Sequence, residues 1–214
     1  MQENFKIEKN NKILIISFTD KENQSLVMSG TSCYYEDPEF YKKYIYKYNL
    51  LGNSKIHSNS YEGHNMSLNK MIKYYELAIK NRDILYEENI LYNKLLKYKK
   101  KNYKYVITKC NDDKSTLEHE IKHTQFYFNK KYRKYVKMVW KSLDDEIKEL
   151  IIEYLKCYNE KLYVDEFQAY ITTEPLVFIQ NKKTKKTAKK YEKIKKELNQ
   201  ISNLLNNWLK NFDD

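Results

Sequence analysis

The sequence of 214 residues contains few of the residues that interrupt regular structure, with only three glycines and two prolines. A sheet-dominated fold needs many tight turns, which these residues usually supply, so their scarcity argues against such a fold and against a collagen-like or linker protein. Disorder is also excluded, because 15% of the residues are aromatic and 41% are hydrophobic. The composition predicts a folded, mainly helical chain with its own core.

Cysteine is scarce as well, and its three copies, Cys33, Cys110 and Cys157, form no CxxC pair. An odd number of widely spaced thiols argues against a disulfide framework and favours a reducing compartment. No stretch approaches the ~20 apolar residues that cross a bilayer, and the first twelve residues lack the apolar segment of a signal peptide. We therefore predict a soluble, cytoplasmic protein without a membrane span.

Arginine is almost missing from the 40 basic residues, since only Arg82 and Arg133 accompany the lysines. Nucleic-acid readers usually use arginine for bidentate contacts with phosphate and guanine. The net charge of +11 is therefore attributed mainly to a lysine-biased composition. The lysine-rich stretch 182–196 could contact nucleic acid or an anionic membrane, but a solvated helix start is the favoured interpretation.

Hydrophobic periodicity predicts an α+β fold that is mainly helical, with a small antiparallel or mixed sheet. The strands are expected at 12–18, at 25–30, forming a hairpin with the first, and at 102–110. The helices are expected at 67–101 with a break near 81–83, at 116–128 and at 131–158, followed by a short element at 163–172 and a C-terminal helix. Residues 1–181 are predicted to form the main domain, and 182–214 a lysine-rich C-terminal helix that packs on it.

One motif indicates a metal-binding and catalytic function. It is the HExxH segment formed by His119, Glu120 and His123. Two histidines four residues apart lie on one face of a helix and can bind one zinc ion, and the glutamate can accept a proton from the metal's water. Ser115 and Glu118 fit a capping box just before the motif, so the segment is expected to be helical.

A catalytic zinc takes three protein ligands, so the two histidines need a third. No histidine follows His123, and His57 and His64 are assigned to a surface or lid loop. The best candidate is Glu166, 43 residues after His123 by their numbers, with Asp165 and Glu174 as alternatives. Asp165 would point about 100° away from the Glu166 side of a helix.

His119, Glu120, His123 and Glu166 resemble the four key positions of the gluzincin-type zinc metallopeptidases, within the HExxH zincins. The similarity covers residues 103–175, about a third of the chain. It implies a zincin-like fold with the sheet beside the motif helix, a Zn²⁺ cofactor, and hydrolysis of peptide bonds in a peptide or protein substrate. Glu120 would act as the general base.

The resemblance also implies that the strand before the motif helix, at 103–109, lies at the sheet edge and pairs with an extended substrate. Some gluzincins have an aspartate four residues after the ligand glutamate, where this chain has Tyr170. Another group must then orient His119 or His123. Tyr170 and Tyr163 are candidates for stabilising the oxyanion.

Two further hypotheses compete with the peptidase. The first is a non-catalytic zinc-binding protein that uses the same ligands for folding. The second is a basic nucleic-acid-associated protein, which would show a steep salt dependence. The heptad-like spacing of apolar residues in the C-terminal helix favours packing on the body over a coiled-coil partner, and the oligomeric state stays open.

Overall fold

A computed structural model describes residues 4–47, 49, 63–110, 113–180 and 188–212. Helices make up most of these residues and four strands form one small sheet, which confirms the α+β class. The strands are β1 Phe5–Asn10, β2 Ile13–Phe18, β3 Gly63–Ser67 and β4 Tyr105–Cys110. The α-helices are α1 Lys21–Tyr35, α2 Leu68–Lys80, α3 Tyr86–Lys100, α4 Lys114–Phe128, α5 Lys130–Ser142, α6 Asp145–Leu155, α7 Tyr163–Thr173, α8 Val177–Gln180 and α9 Ala188–Phe212, with a 3₁₀ turn at Glu160–Leu162.

The sheet is mixed, with the strand order β1-β2-β4-β3. β1 and β2 form an antiparallel hairpin, β2 and β4 are parallel, and β3 is antiparallel to β4. The hairpin turns at Asn11, whose φ of 49° lies in the left-handed region that asparagine tolerates better than most residues. The edge strands are therefore β1 and β3.

Two predictions about the sheet are wrong. The segment 25–30 is part of helix α1, because the Asp20 side chain accepts a hydrogen bond from the Asn23 N–H at 2.8 Å and caps that helix. The strand that completes the hairpin is β1, which precedes β2. The strand expected at 103–109 exists as β4, but it is buried along its length with a neighbour on each side, so it is not an edge strand.

The chain divides into two compact units on either side of the Glu120–Ile121 bond. In the first unit, helices α1, α2 and α3 and the sheet share one hydrophobic core. Its fully buried members include Leu14, Phe18, Met28, Tyr75 and Leu91. The predicted break between two helices is confirmed, since α2 ends at Lys80 and α3 begins at Tyr86.

The second unit has a separate core formed by helices α5 to α9, including Tyr132, Ile151, Phe167, Leu198 and Leu205. The helix predicted at 131–158 is two helices. Asp144 accepts a hydrogen bond from the Glu146 N–H at 3.0 Å, which caps α6 and ends the continuous helix. The element expected at 163–172 is confirmed as α7.

Helix α9 is connected by side-chain hydrogen bonds to the two helices that carry the motif histidines and Glu166. The Lys122 ammonium donates to Asn206 Oδ1 at 3.1 Å, and Asn206 Nδ2 donates to the Thr172 carbonyl at 3.1 Å. The domain boundary predicted near residue 181 lies outside the described residues. Within the ranges that the structure covers, no helix has both the length and the apolar character needed to cross a membrane.

Candidate metal centre

The motif helix α4 begins earlier than the sequence suggests, because its cap is Asp113 and not Ser115. Asp113 Oδ1 accepts hydrogen bonds from the Thr116 N–H at 3.1 Å and the Ser115 hydroxyl at 2.8 Å. Hydrogen bonds from the side chain and backbone of Thr116 lower the pKa of Asp113 to about 2. The capping carboxylate is therefore charged at neutral pH, which suits the positive end of the helix dipole.

Helix α4 continues through the motif without a break, so His119 and His123 lie one turn apart on one face. The metal-ligating atoms of His119, His123 and Glu166 all lie within 4.8 Å of one another. His123 and Glu166 are buried, and His119 is half-buried. The structure thus brings together the three residues that the sequence analysis predicted as ligands.

The two ring nitrogens of His123 have different neighbours. Nδ1 lies 2.8 Å from Asp165 Oδ1, and Nε2 lies 3.8 Å from Glu166 Oε2. An ionised carboxylate only accepts hydrogen bonds, so Asp165 places the imidazole proton on Nδ1. The lone pair of Nε2 is then directed towards Glu166, which is the tautomer that a metal ligand needs.

Asp165 is itself held by a chain of buried side chains. Gln168 Nε2 donates to Asp165 Oδ1 at 3.2 Å, and the Tyr132 hydroxyl donates to Gln168 Oε1 at 3.1 Å. Burial raises the pKa of Tyr132, so its phenol stays protonated as a donor. Asp165, which the sequence analysis weighed as an alternative ligand, therefore orients His123, the task that an aspartate at position 170 would have in some gluzincins.

We expect Asp165→Ala to weaken zinc binding by about 10- to 100-fold, because the loss of such a supporting carboxylate leaves the imidazole tautomer and ring angle unfixed. Asp165→Asn should lose less, since its amide oxygen can still accept from Nδ1. The measurement is competitive titration of each purified variant with a chromophoric zinc chelator. Glu149→Gln, an exposed carboxylate on α6, is the control. Equal affinity in all four proteins would contradict this role.

Glu120 is buried and faces strand β3 of the first unit. Asn65 Nδ2 donates to Glu120 Oε2 at 2.7 Å, and the Tyr105 hydroxyl donates to Asn65 Oδ1 at 2.6 Å. Gly63 lies so close that a Cβ atom there would be 2.4 Å from Glu120 Oε1 and 2.6 Å from Thr116 Cγ2. A larger residue at this position would therefore displace the Glu120 carboxylate or the Thr116 side chain from where they lie.

The two candidate oxyanion donors lie on helix α7, near the candidate ligand Glu166 in sequence. Tyr170 has its hydroxyl 3.1 Å from the Tyr158 hydroxyl, and burial, with a contribution from the Glu166 charge, raises its pKa. Tyr163 is half-buried, and desolvation raises its pKa. The other alternative ligand, Glu174, is exposed where α7 ends.

Of the two histidines outside the motif, the structure describes only His64. His57 lies outside the described residues. His64 was assigned to a surface or lid loop, which is wrong: it is buried on β3, with Nδ1 2.6 Å from the Ser32 hydroxyl. Burial lowers the pKa of His64 to about 4, so its imidazole is neutral at physiological pH.

Asn65, Gly63 and Tyr105 are neighbours of the motif glutamate that sequence reasoning did not identify. Asn65 and Gly63 flank His64, for which a surface or lid loop is predicted, and the short length of β3 hides the alternation of a strand. Gln168 lies one turn from Asp165 on α7, but its role was not recognisable without Tyr132, which only the tertiary packing of α5 against α7 brings to Gln168. The chain matches no protein-family model, and no curated protein or solved structure was found to be similar to it.

Proposed function

We propose that the protein is a zinc-dependent metallopeptidase of the zincin type, with His119, His123 and Glu166 as ligands and Glu120 as general base. The observation that carries the proposal is the convergence of the three ligand atoms within 4.8 Å beside a buried glutamate. Gluzincin-type zincins are identified by this combination of two histidines on one helix and a glutamate on another. The resemblance of the sequence and the geometry of the side chains thus support the same three ligands.

The donor set suits zinc. Two imidazoles and one carboxylate leave a fourth position for water, as in catalytic zinc sites. Ligand atoms around a tetrahedral zinc lie roughly 3.3 Å apart. His123 Nε2 and Glu166 Oε2 lie 3.8 Å apart, and the three ligand atoms lie within 4.8 Å of one another, so the side chains would move closer together to hold the ion. The Asp165 carboxylate behind His123 is the outer partner that ligating histidines almost always have.

Zinc held by these residues supplies Lewis acidity, which makes a water more acidic and a substrate carbonyl more electrophilic. Glu120 then accepts the water's proton and delivers it to the leaving amine, which is general base followed by general acid catalysis. Asp165 keeps the His123 lone pair aimed at the centre throughout. Tyr170 and Tyr163 are the proposed neutral donors for the developing oxyanion.

The substrate is proposed to be an extended peptide that adds to strand β3. β3 is an edge strand, whereas β4 has both neighbours, so strand addition on this side of the sheet is open to β3. Gly63 and Asn65 of β3 contact Glu120, so a peptide paired with this edge lies alongside the general base. Backbone hydrogen bonds of this kind give affinity without requiring a particular side chain.

The direct test is cleavage of fluorescently labelled casein by the purified protein. We expect activity that is abolished by 1,10-phenanthroline and restored by a stoichiometric amount of zinc, since removal of the ion removes both the activated water and the carbonyl activation. Zinc binding without cleavage of casein or of a peptide library would instead favour the non-catalytic zinc-binding alternative. Activity that resists the chelator would contradict the assignment of these residues.

A further inference from the structure

We propose that Asn65 is a positioning residue for Glu120, and that Tyr105 fixes the orientation of the Asn65 amide. The inference rests on the proposed role of Glu120 as general base. The three side chains form one chain of hydrogen bonds, from the Tyr105 hydroxyl to Asn65 Oδ1 and from Asn65 Nδ2 to Glu120 Oε2, with lengths of 2.6 and 2.7 Å.

The alternation of strand β3 explains why Asn65 can reach the motif. Gly63 and Asn65 are two residues apart, so their side-chain positions lie on the same face of the strand, which is directed at helix α4. His64 and Met66 occupy the opposite face, where Met66 belongs to the hydrophobic core and His64 lies beside Ser32. A shift of the strand by one residue would exchange these two sets.

The close approach of β3 to α4 leaves little freedom for the Glu120 carboxylate. A Cβ atom on Gly63 would lie 2.4 Å from Oε1 and 2.9 Å from Cγ of Glu120, so the glycine backbone flanks one side of the carboxylate. The Asn65 amide holds the other oxygen, Oε2. The carboxylate is thus hydrogen-bonded at Oε2, and the closeness of the Gly63 backbone limits its movement on the Oε1 side.

The two ends of an amide side chain have opposite hydrogen-bonding properties, and the Glu120 carboxylate accepts from the NH₂ end of Asn65. Oδ1 then faces the Tyr105 hydroxyl, which donates to it and holds the amide in this orientation. The NH₂ group can only donate, which suits a carboxylate acceptor. Tyr105 is buried on β4, an interior strand, so this series of hydrogen bonds starts from a strand that is paired on both sides.

The hydrogen bond itself can be tested on the metal-free protein by NMR of side-chain amides. The Asn65 NH₂ signals, identified by their loss in Asn65→Leu, should move in Glu120→Ala and in Tyr105→Phe. They should stay in place in Glu118→Ala, an exposed glutamate on the same helix, and in Tyr103→Phe, which precedes β4. Unchanged signals in both test variants would overturn the proposal, whether or not the protein is a peptidase.

The kinetic test uses labelled casein and a double-mutant cycle. Asn65→Leu is expected to lower kcat by about 10- to 100-fold with KM and zinc content unchanged, because misplacing a catalytic group by about 1 Å costs this much. Tyr105→Phe, which retains the buried ring, should lower kcat in the same direction by less. In a Glu120→Gln background, measured at high enzyme concentration, Asn65→Leu should have no further effect.

Each kinetic result bears on the proposal. A raised KM with an unchanged kcat in Asn65→Leu would show that Asn65 binds substrate instead of positioning Glu120. Full additivity with Glu120→Gln would show that the two residues act independently. If circular dichroism shows that Asn65→Leu does not fold, the double-mutant cycle with Glu120→Gln is measured with Tyr105→Phe instead. If wild type cleaves nothing, the proposed function fails while the NMR experiment still decides whether Asn65 holds Glu120.

Discussion

Purified without added metal, the wild-type protein is expected to contain about one zinc per chain, and His123→Ala is expected to contain almost none. Among the proposed ligands His123 has the most complete support, since Asp165 Oδ1 lies 2.8 Å from its Nδ1 and Nε2 is directed towards Glu166. Its loss removes one of only three protein ligands and leaves a buried carboxylate without a cation. The measurement is elemental analysis of each variant after gel filtration.

The set of variants separates metal binding from catalysis and from misfolding. His119→Ala should lose zinc in the same way as His123→Ala, whereas Glu120→Gln should retain it because Glu120 is not a ligand. His57→Ala, which changes a histidine outside the motif, serves as the control. Absence of zinc from wild type even after reconstitution would refute the metallopeptidase and would leave the lysine-rich stretch 182–196 as the better lead to function.

Bound zinc should also stabilise the fold, because the ligands are assembled only in the folded chain. At free zinc 100 times above the dissociation constant, the expected gain is about 2.7 kcal/mol in the free energy of unfolding. His119 and His123 share helix α4, but Glu166 belongs to a helix more than forty residues away in sequence. The ion therefore joins two elements that local sequence does not hold together.

The motif helix and its two histidines could be predicted from sequence because everything they need is local. The HExxH spacing places His119 and His123 on one face of any α-helix, and the polar cap before it fixes where the helix starts to within a few residues. Even there the capping residue was misassigned, since Ser115 and Asp113 are both good caps. The side-chain geometry favours Asp113, which accepts from Thr116 and Ser115 together.

Glu166 could be predicted as a candidate, although its neighbours could not be assigned roles. The need for a third ligand, and the long helix predicted between His123 and this segment, favour Glu166, with Asp165 and Glu174 as alternatives. Which carboxylate meets which nitrogen depends on the rotation of helix α7. That rotation is set by the packing of Phe167 in the core of the second unit and by the hydrogen bond between Gln168 and Tyr132. No local pattern encodes that rotation.

The sheet was the least predictable part, for a physical reason. The segment at 25–30 contains β-compatible residues such as Val27, but the cap at Asp20 starts a helix that includes them. Strand β3 spans only Gly63 to Ser67, too short for a period of two to be visible. Its structure depends on pairing with β4, so the contacts of Asn65 with Glu120 and Tyr105 could not be foreseen.

Glu120→Gln is expected to lower kcat for casein cleavage by about 10³-fold or more while zinc content stays at the wild-type level, because the amide cannot accept the proton of the attacking water. The substitution is almost isosteric, and the glutamine carbonyl can still accept the hydrogen bond from Asn65 Nδ2. The fall in kcat would therefore be caused by the missing general base and not by a structural change of the site.

The matched control is Glu118→Gln, which changes an exposed glutamate on the same helix and should leave kcat within about twofold of wild type. Active-site titration with a hydroxamate inhibitor would verify that both proteins hold competent zinc. A Glu120→Gln protein with full activity would mean that another group takes the proton. The catalytic role proposed for the hydrogen bonds from Tyr105 through Asn65 to Glu120 would then have to be abandoned. Loss of zinc together with activity would instead place Glu120 among the ligands.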